Sequence, residues 1–188
     1  GATTVQVQGQ GSGNAFPVGT NLEVFQVTDA AGNTSNCTLT ITVIDNVAPM
    51  VTCPANITVN AANGQCGAPV TFTATATDNC SGATVTTNPA SGSVFNVGTS
   101  TVTATATDGC GNSATCSFTV TVNDNQAPSI NCPANITVNA PSGQCSTAVN
   151  YQVGTTDNCA STVTVSPVSG SIFAVGTTTV TAVATDNA

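Results

Sequence analysis

Two residue types in this chain could do chemistry, aspartate and cysteine. Asp45 opens "DNVAP" (45–49) and Asp124 opens "DNQAP" (124–128). Each stretch sits between a run of alternating strand residues and a cysteine-containing run. Each closes in a Pro, which fixes φ and stiffens a linker. Asp78 and Asp157 stand in "TDNC", and Asp108 and Asp186 follow the next alternating run. The order of strands predicts that Asp45, Asp78 and Asp108 converge at the first linker, and Asp124, Asp157 and Asp186 at the second. Three carboxylates, with Asn and backbone carbonyls, would make an oxygen-rich Ca²⁺ site. Against this, Asp and Asn are favoured turn residues that bond their own backbone, and "TD-x-x-GN" closes a hairpin without metal.

Composition narrows the remaining chemistry. The 188 residues include no Lys, Arg, His or Trp, and the net charge is −8 with a pI of about 4.1. A chain without cations cannot neutralise phosphates, which argues against nucleic acid and anionic membrane surfaces as partners. No stretch is apolar enough to insert in a bilayer. A catalytic thiol needs a base or a cationic neighbour, so Cys110 is expected to be an unpaired thiol rather than a nucleophile. With only turn aspartates left as acids or bases, the chain is not expected to be an enzyme. Nine Cys and no His or C-x-x-C pair point to disulfides in an oxidising compartment, not to zinc.

The elements that must position these residues are repeated. "CPANITVNA" occurs at 53–61 and again at 132–140, and Pro49 and Pro128, Cys66 and Cys145, and Cys80 and Cys159 keep the same spacing. "FPVGT" (16–20) and Cys37 stand in the register of "FNVGT" (95–99) and Cys116. The array reads as the back half of one repeat (1–48), a whole repeat (49–127) and a third repeat lacking its last strand (128–188), a window on a longer chain. "VTFTATATD" (70–78), "STVTATATD" (100–108) and "CSFTVTVND" (116–124) alternate apolar residues with Thr, the two-residue period of a half-buried strand. No segment has a helical period. Roughly seven short strands per repeat predict an all-β fold of tandem immunoglobulin-like β-sandwich domains, arranged as beads in a rod.

The second repeat carries Pro49, Cys53–Pro54, Asn56–Val59, Thr77–Asn79, Phe95–Thr99, Val102, Thr107–Asp108, Gly111–Asn112 and Cys116–Val122. This combination resembles the hyalin repeat, or HYR domain, and the flanks match it in part. The resemblance implies an extracellular immunoglobulin-like module found in tandem in adhesion proteins, and therefore a secreted or cell-surface location. Thr- and Asn-rich versions with "GQC" and "TDNC" are similar to repeats of very large bacterial surface adhesins, including gliding-motility adhesins. The linker "VNDNQAP" is also similar to the Asp-Asn-Ala-Pro linkers of cadherins, which bind Ca²⁺ between domains.

The same resemblance implies a Cys53–Cys116 bond, the pair that would face if the first and last strands ran side by side. By that register Cys37 and Cys132 have partners outside the chain. Cys66, Cys80 and Cys110 are odd in number. Ala31 and Ala188 replace Cys110 in the other repeats, while Cys145 and Cys159 persist. That favours Cys66–Cys80 and Cys145–Cys159, with Cys110 unpaired. Fourteen extended residues would span roughly 46 Å, so this pairing needs a bend within "TATAT". The other pairing is Cys80–Cys110, with Cys66 single. The function expected is that of spacer or stalk repeats of an extracellular adhesin or surface filament, stiffened by disulfides and by calcium between repeats. The partners would be neighbouring repeats and a surface or protein target. The alternatives are a carbohydrate- or protein-binding module and a subunit of a multi-chain fibre.

Overall fold

The computed structural model describes residues 1–187, and no helix occurs among them. The first repeat supplies β1 (Thr3–Gln8), β2 (Gly19–Thr28) and β3 (Thr34–Val43), an antiparallel sheet in that order. The second supplies β4 (Met50–Thr52), β5 (Ile57–Asn60), β6 (Gly67–Pro69), β7 (Thr75–Thr77), β8 (Thr84–Asn88), β9 (Val94–Asn96), β10 (Gly98–Thr107) and β11 (Ser113–Asn123). Its four-stranded sheet has the order β5-β11-β10-β8, with β4-β7 and β6-β9 as smaller pairs. The third supplies β12 (Ser129–Asn131), β13 (Ser146–Ala148), β14 (Gly154–Thr156), β15 (Ser161–Ser166), β16 (Ile172–Ala174) and β17 (Thr181–Asp186), paired as β12-β14, β13-β16 and β15-β17. The all-β expectation is met, with tandem β-sandwich modules as the building unit.

By contact density the chain forms two compact units. One holds Gly1–Met50 with Ala76–Thr84 and Ala106–Ala114. The other holds Val51–Thr75, Val85–Thr105 and the chain from Thr115 on.

The core follows from the period of two. Along β10, Val102, Ala104 and Ala106 are fully buried while the Thr residues between them are not. Along β11, Phe118, Val120 and Val122 do the same. β11 runs parallel to β5, setting Val120 opposite Ile57 and Val122 opposite Val59. This face packs on Ala68, Val70 and Phe95, with Phe72 set edge-on to Phe118 at 4.9 Å between ring centroids. Side chains this small leave a modest core, because a domain of this size buries only about 60% of its unfolded surface.

Cys53 and Cys116 are bonded, with Cα atoms 5.9 Å apart. Closing a loop of sequence separation 63 contributes about 4 kcal/mol in the chain-entropy account. The other expected pairings are corrected. Cys66 bonds Cys159, at a sequence separation of 93 and a Cα spacing of 4.8 Å. The Cys66–Cys80 and Cys145–Cys159 bonds do not form. The reason is local: no turn interrupts the chain from Gly67 through β7, so the bend that Cys66–Cys80 required is missing. The run from Ser146 through β14 repeats that conformation. Cys37, Cys80, Cys110, Cys132 and Cys145 are free thiols.

Two hairpins are closed by one device. Asp108 Oδ1 accepts from the amides of Cys110 (2.9 Å) and Asn112 (2.8 Å), and Oδ2 from the Asn112 carboxamide (2.8 Å). Asp29 does the same with Ala31 and Asn33. Gly32 and Gly111 sit at φ of 89° and 93°, where a Cβ would be strained. The Asn112 carboxamide, then its amide and those of Cys110 and Gly111, hold the Asp108 carboxyl below its usual 3.8; Asn33 leads the same effect on Asp29.

Three outcomes are expected. Phe118→Ala should destabilise by about 3–5 kcal/mol in urea unfolding, since the ring is almost fully buried. A carboxyl whose pKa is depressed on folding stabilises above its unfolded value and loses that contribution as pH falls through its folded value. The melting temperature should therefore hold from neutral pH down to about 5 and fall below about 4. Asp108→Ala should cost stability at pH 7 and little at pH 2.5.

Candidate metal centre

The second linker gathers its three expected aspartates. Asp124, Asp157 and Asp186 each offer an oxygen, all within 4.8 Å of one another. Asp124 follows the end of β11, Asp157 follows β14, and Asp186 ends β17. Asp124 Oδ1 accepts from the Gln126 amide at 3.0 Å, and Oδ2 from the Asn158 carboxamide at 3.0 Å. Both carboxylate oxygens of Asp157 and the Asn158 Oδ1 are buried without a hydrogen-bond partner. Buried polar atoms are normally paired.

The first linker is built alike, with one substitution. Asp45, Asp78 and Cys80 bring two oxygens and a sulfur within 4.8 Å of one another. Asp45 is only 8% exposed. Its Oδ1 accepts from the Val47 amide (3.1 Å) and the Asn79 carboxamide (3.3 Å), while Oδ2 is buried and unpartnered. Asp78 Oδ2 accepts from the Cys80 amide at 3.1 Å, and Oδ1 is buried and unpartnered. Asp108, expected in this set, stays out of it. Both its oxygens are taken by its own hairpin, and it contributes through Asn112, whose carboxamide donates to the Asp45 carbonyl at 3.1 Å.

Electrostatics here lack any cation. The Cys80 thiol, the Val47 amide and the Asn79 carboxamide hold the Asp45 carboxyl below 3.8. In return Asp45, with burial and the nearby Asp78 charge, pushes the Cys80 thiol up to about 11. At neutral pH Cys80 is therefore a thiol, unsuited to be a nucleophile or a metal thiolate. The second set has no such thiol, because Cys159 is bonded to Cys66. Its donors are oxygens only, the ligand set of a hard cation.

Asn79 and Asn158 are the residues that sequence reasoning passed over. Each reaches from a "TDNC" loop to the linker aspartate. Asn158 also donates to the Gln65 carbonyl at 3.0 Å, beside the Cys66 sulfur bridge. Their signal was the recurrence of Asn between each loop Asp and Cys.

The family model of the HYR domain matches three consecutive segments, 1–43, 44–122 and 123–188. Hyalin of Strongylocentrotus purpuratus is 39% identical over 111 residues, 56% of this chain and 9% of that protein's length. Among solved structures, a protocadherin gamma B7 chain with extracellular cadherin domains 1–4 is 16% identical. It matches with a TM-score of 0.33 over 79% of this chain and 44% of its own. A protocadherin gamma B2 chain with domains 1–5 is 15% identical, with a TM-score of 0.38 over 84% and 39%. With every stretch from residue 1 to 188 matched by one family, this chain belongs to the HYR domain family as a tandem array.

Proposed function

We propose that these are spacer repeats of a long extracellular adhesin or surface filament, with no catalytic role. The observation that carries the reading is the Cys66–Cys159 bond, which ties the "GQC" turn of one repeat to the "TDNC" loop of the next. The amide of Gly64, the first residue of that turn, also donates to Gln126 of the "DNQAP" linker at 3.2 Å. A seam held by sulfur, hydrogen bonds and a Pro loses the freedom that a bare linker would keep. That serves a part whose task is to hold distance. The modules are taken as 1–48, 49–127 and 128–188. An oxidising, extracellular setting suits a disulfide of this kind. A catalytic reading finds no support in a chain without His, Lys or Arg.

Calcium is the second part of the reading. Asp124, Asp157 and Asp186 would hold one ion, and Asp45 and Asp78 would begin the set for another. Support comes from the five buried side-chain oxygens with no hydrogen-bond partner among the described residues, all of which lie on these residues and Asn158. A bound ion would satisfy them and neutralise carboxylates that no side chain can neutralise.

At saturating Ca²⁺ the melting temperature should rise by about 5 °C or more over EGTA, and Asp157→Asn should shrink that difference. Identical melts would reduce the carboxylates to turn residues. In electron micrographs the native material should show unbranched beaded rods; compact particles would contradict the spacer role.

A further inference from the structure

The Cys66–Cys159 bridge and the second acidic group are joined by a short chain of hydrogen bonds. Every residue in that chain belongs to the compact unit that holds Val51–Thr75 and the residues from Thr115 on. Asp124 is the residue on which the bonds meet. Its Oδ2 accepts from the Asn158 carboxamide at 3.0 Å, and the same nitrogen donates to the Gln65 carbonyl at 3.0 Å. Its Oδ1 accepts from the Gln126 amide at 3.0 Å, and the Gln126 side chain accepts from the Gly64 amide at 3.2 Å. Both oxygens of Asp124 are thus held by residues that also grip the "GQC" turn. Covalent closure lies one residue further on each side. Gln65 precedes Cys66, Asn158 precedes Cys159, and those two cysteines are bonded.

Asn158 also faces the acidic group. Its Oδ1 is buried with no partner among the described residues, as are both oxygens of Asp157 just before it. One side chain therefore stands between the sulfur bridge and three oxygens that lack donors. The first linker has the same property. Asp45 is only 8% exposed, and its Oδ2 and the Asp78 Oδ1 are buried and unpartnered. Asn79 reaches Asp45 there as Asn158 reaches Asp124. One part is not repeated. Val47 stands in the place of Gln126 and offers Asp45 its amide, but it has no side-chain oxygen.

We infer that the Cys66–Cys159 bond and a divalent cation at Asp124 and Asp157 are coupled, with Asn158 and Gln126 as the positioning residues between them. The cation site is thereby regulated by the thiol–disulfide poise around it. This rests on the calcium reading and deepens it. With the bridge closed, turn and loop are fixed, and their donors hold the Asp124 carboxylate in one orientation. Ligands ordered before the ion arrives bind it at a smaller entropy cost. Reduction breaks the S–S bond. Two molecules of a small thiol supply two electrons and two protons and become one disulfide, and Cys66 and Cys159 become thiols. The Gln65 carbonyl and the Gly64 amide then lose their covalent tie to the loop, and Asn158 and Gln126 lose a fixed second anchor. Coupling between two sites is reciprocal. The cation makes the bridge harder to reduce by the factor by which the bridge raises affinity for the cation.

Calorimetry titrates CaCl₂ into the full chain and into Cys66→Ser. In parallel, the full chain is equilibrated in graded glutathione buffers with Ca²⁺ or EGTA, quenched in acid, alkylated, and mapped with a protease that needs no Lys or Arg. Cys66→Ser should bind one ion about tenfold more weakly. Half-reduction of Cys66–Cys159 should need about tenfold more squared glutathione over glutathione disulfide in Ca²⁺ than in EGTA. Cys53–Cys116 is the internal control, since about 23 Å of β11 separate Cys116 from Asn123, the neighbour of Asp124. Its half-reduction should not move. Asn158→Ala should keep the bond and remove most of the calcium shift. Gln126→Val should remove part of it, and Gln126→Glu, which keeps an oxygen for the Gly64 amide, should retain it. Circular dichroism checks that each variant keeps its β signal. An equal shift at both bonds would assign the effect to global stability and overturn the coupling. Calcium uptake with one Kd in both proteins and one half-reduction point in Ca²⁺ and EGTA would overturn the coupling and leave the calcium reading standing. No uptake by the oxidised chain would sink both.

Discussion

The structure depends on one constraint: no carboxylate can be satisfied by a cationic side chain, because the chain has no Lys, Arg or His. A typical aspartate that folds into a half-buried position finds Lys or Arg. Here it finds amides. Asp29 and Asp108 each collect two backbone amides and an Asn carboxamide, and that collection is the hairpin. Even Glu23, which occupies the register of the buried Val102, is held by the Gln10 and Gly11 amides and the Gln6 carboxamide. Asn serves throughout as the substitute cation, a neutral donor that can reach an acidic partner and a backbone carbonyl together. Asn112 does so for Asp108 and the Asp45 carbonyl, and Asn158 for Asp124 and the Gln65 carbonyl.

That economy explains why the linkers are the sensitive points. In the hairpins both carboxylate oxygens have donors. At the linkers some oxygens have none among the described residues, and these gather where two or three acidic groups meet. The core offers little slack to absorb such a cost, since it is built from Val, Ala and a few Phe. Sulfur bridges compensate in a way that needs neither charge nor bulk.

Much of this was legible in the residues. The alternation of Thr with Val and Ala along 100–108 and 116–124 gave the strands and their buried face, because a pleat has a period of two. The convergence of Asp124, Asp157 and Asp186 followed from the order of strands alone. Cys66–Cys159 was not legible, because repeat arithmetic counts cysteines within a module and this bond joins neighbours. Asp108 was misplaced for a related reason. A TD-x-x-GN aspartate can serve its own turn or a shared site, and spacing cannot tell which; Asp108 serves its turn.

The Cys66–Cys159 bond has a mechanical side. A pull on the two ends of the chain would enter at Cys66 and leave at Cys159 through sulfur, bypassing the polypeptide of sequence separation 93 between them. The β10 and β11 strands and most of their apolar face lie inside that bypass. They lie off the shortest covalent path while the bridge is intact, and their contour length could not be paid out. The limit on extension thereby passes from the packing of a small core to covalent chemistry.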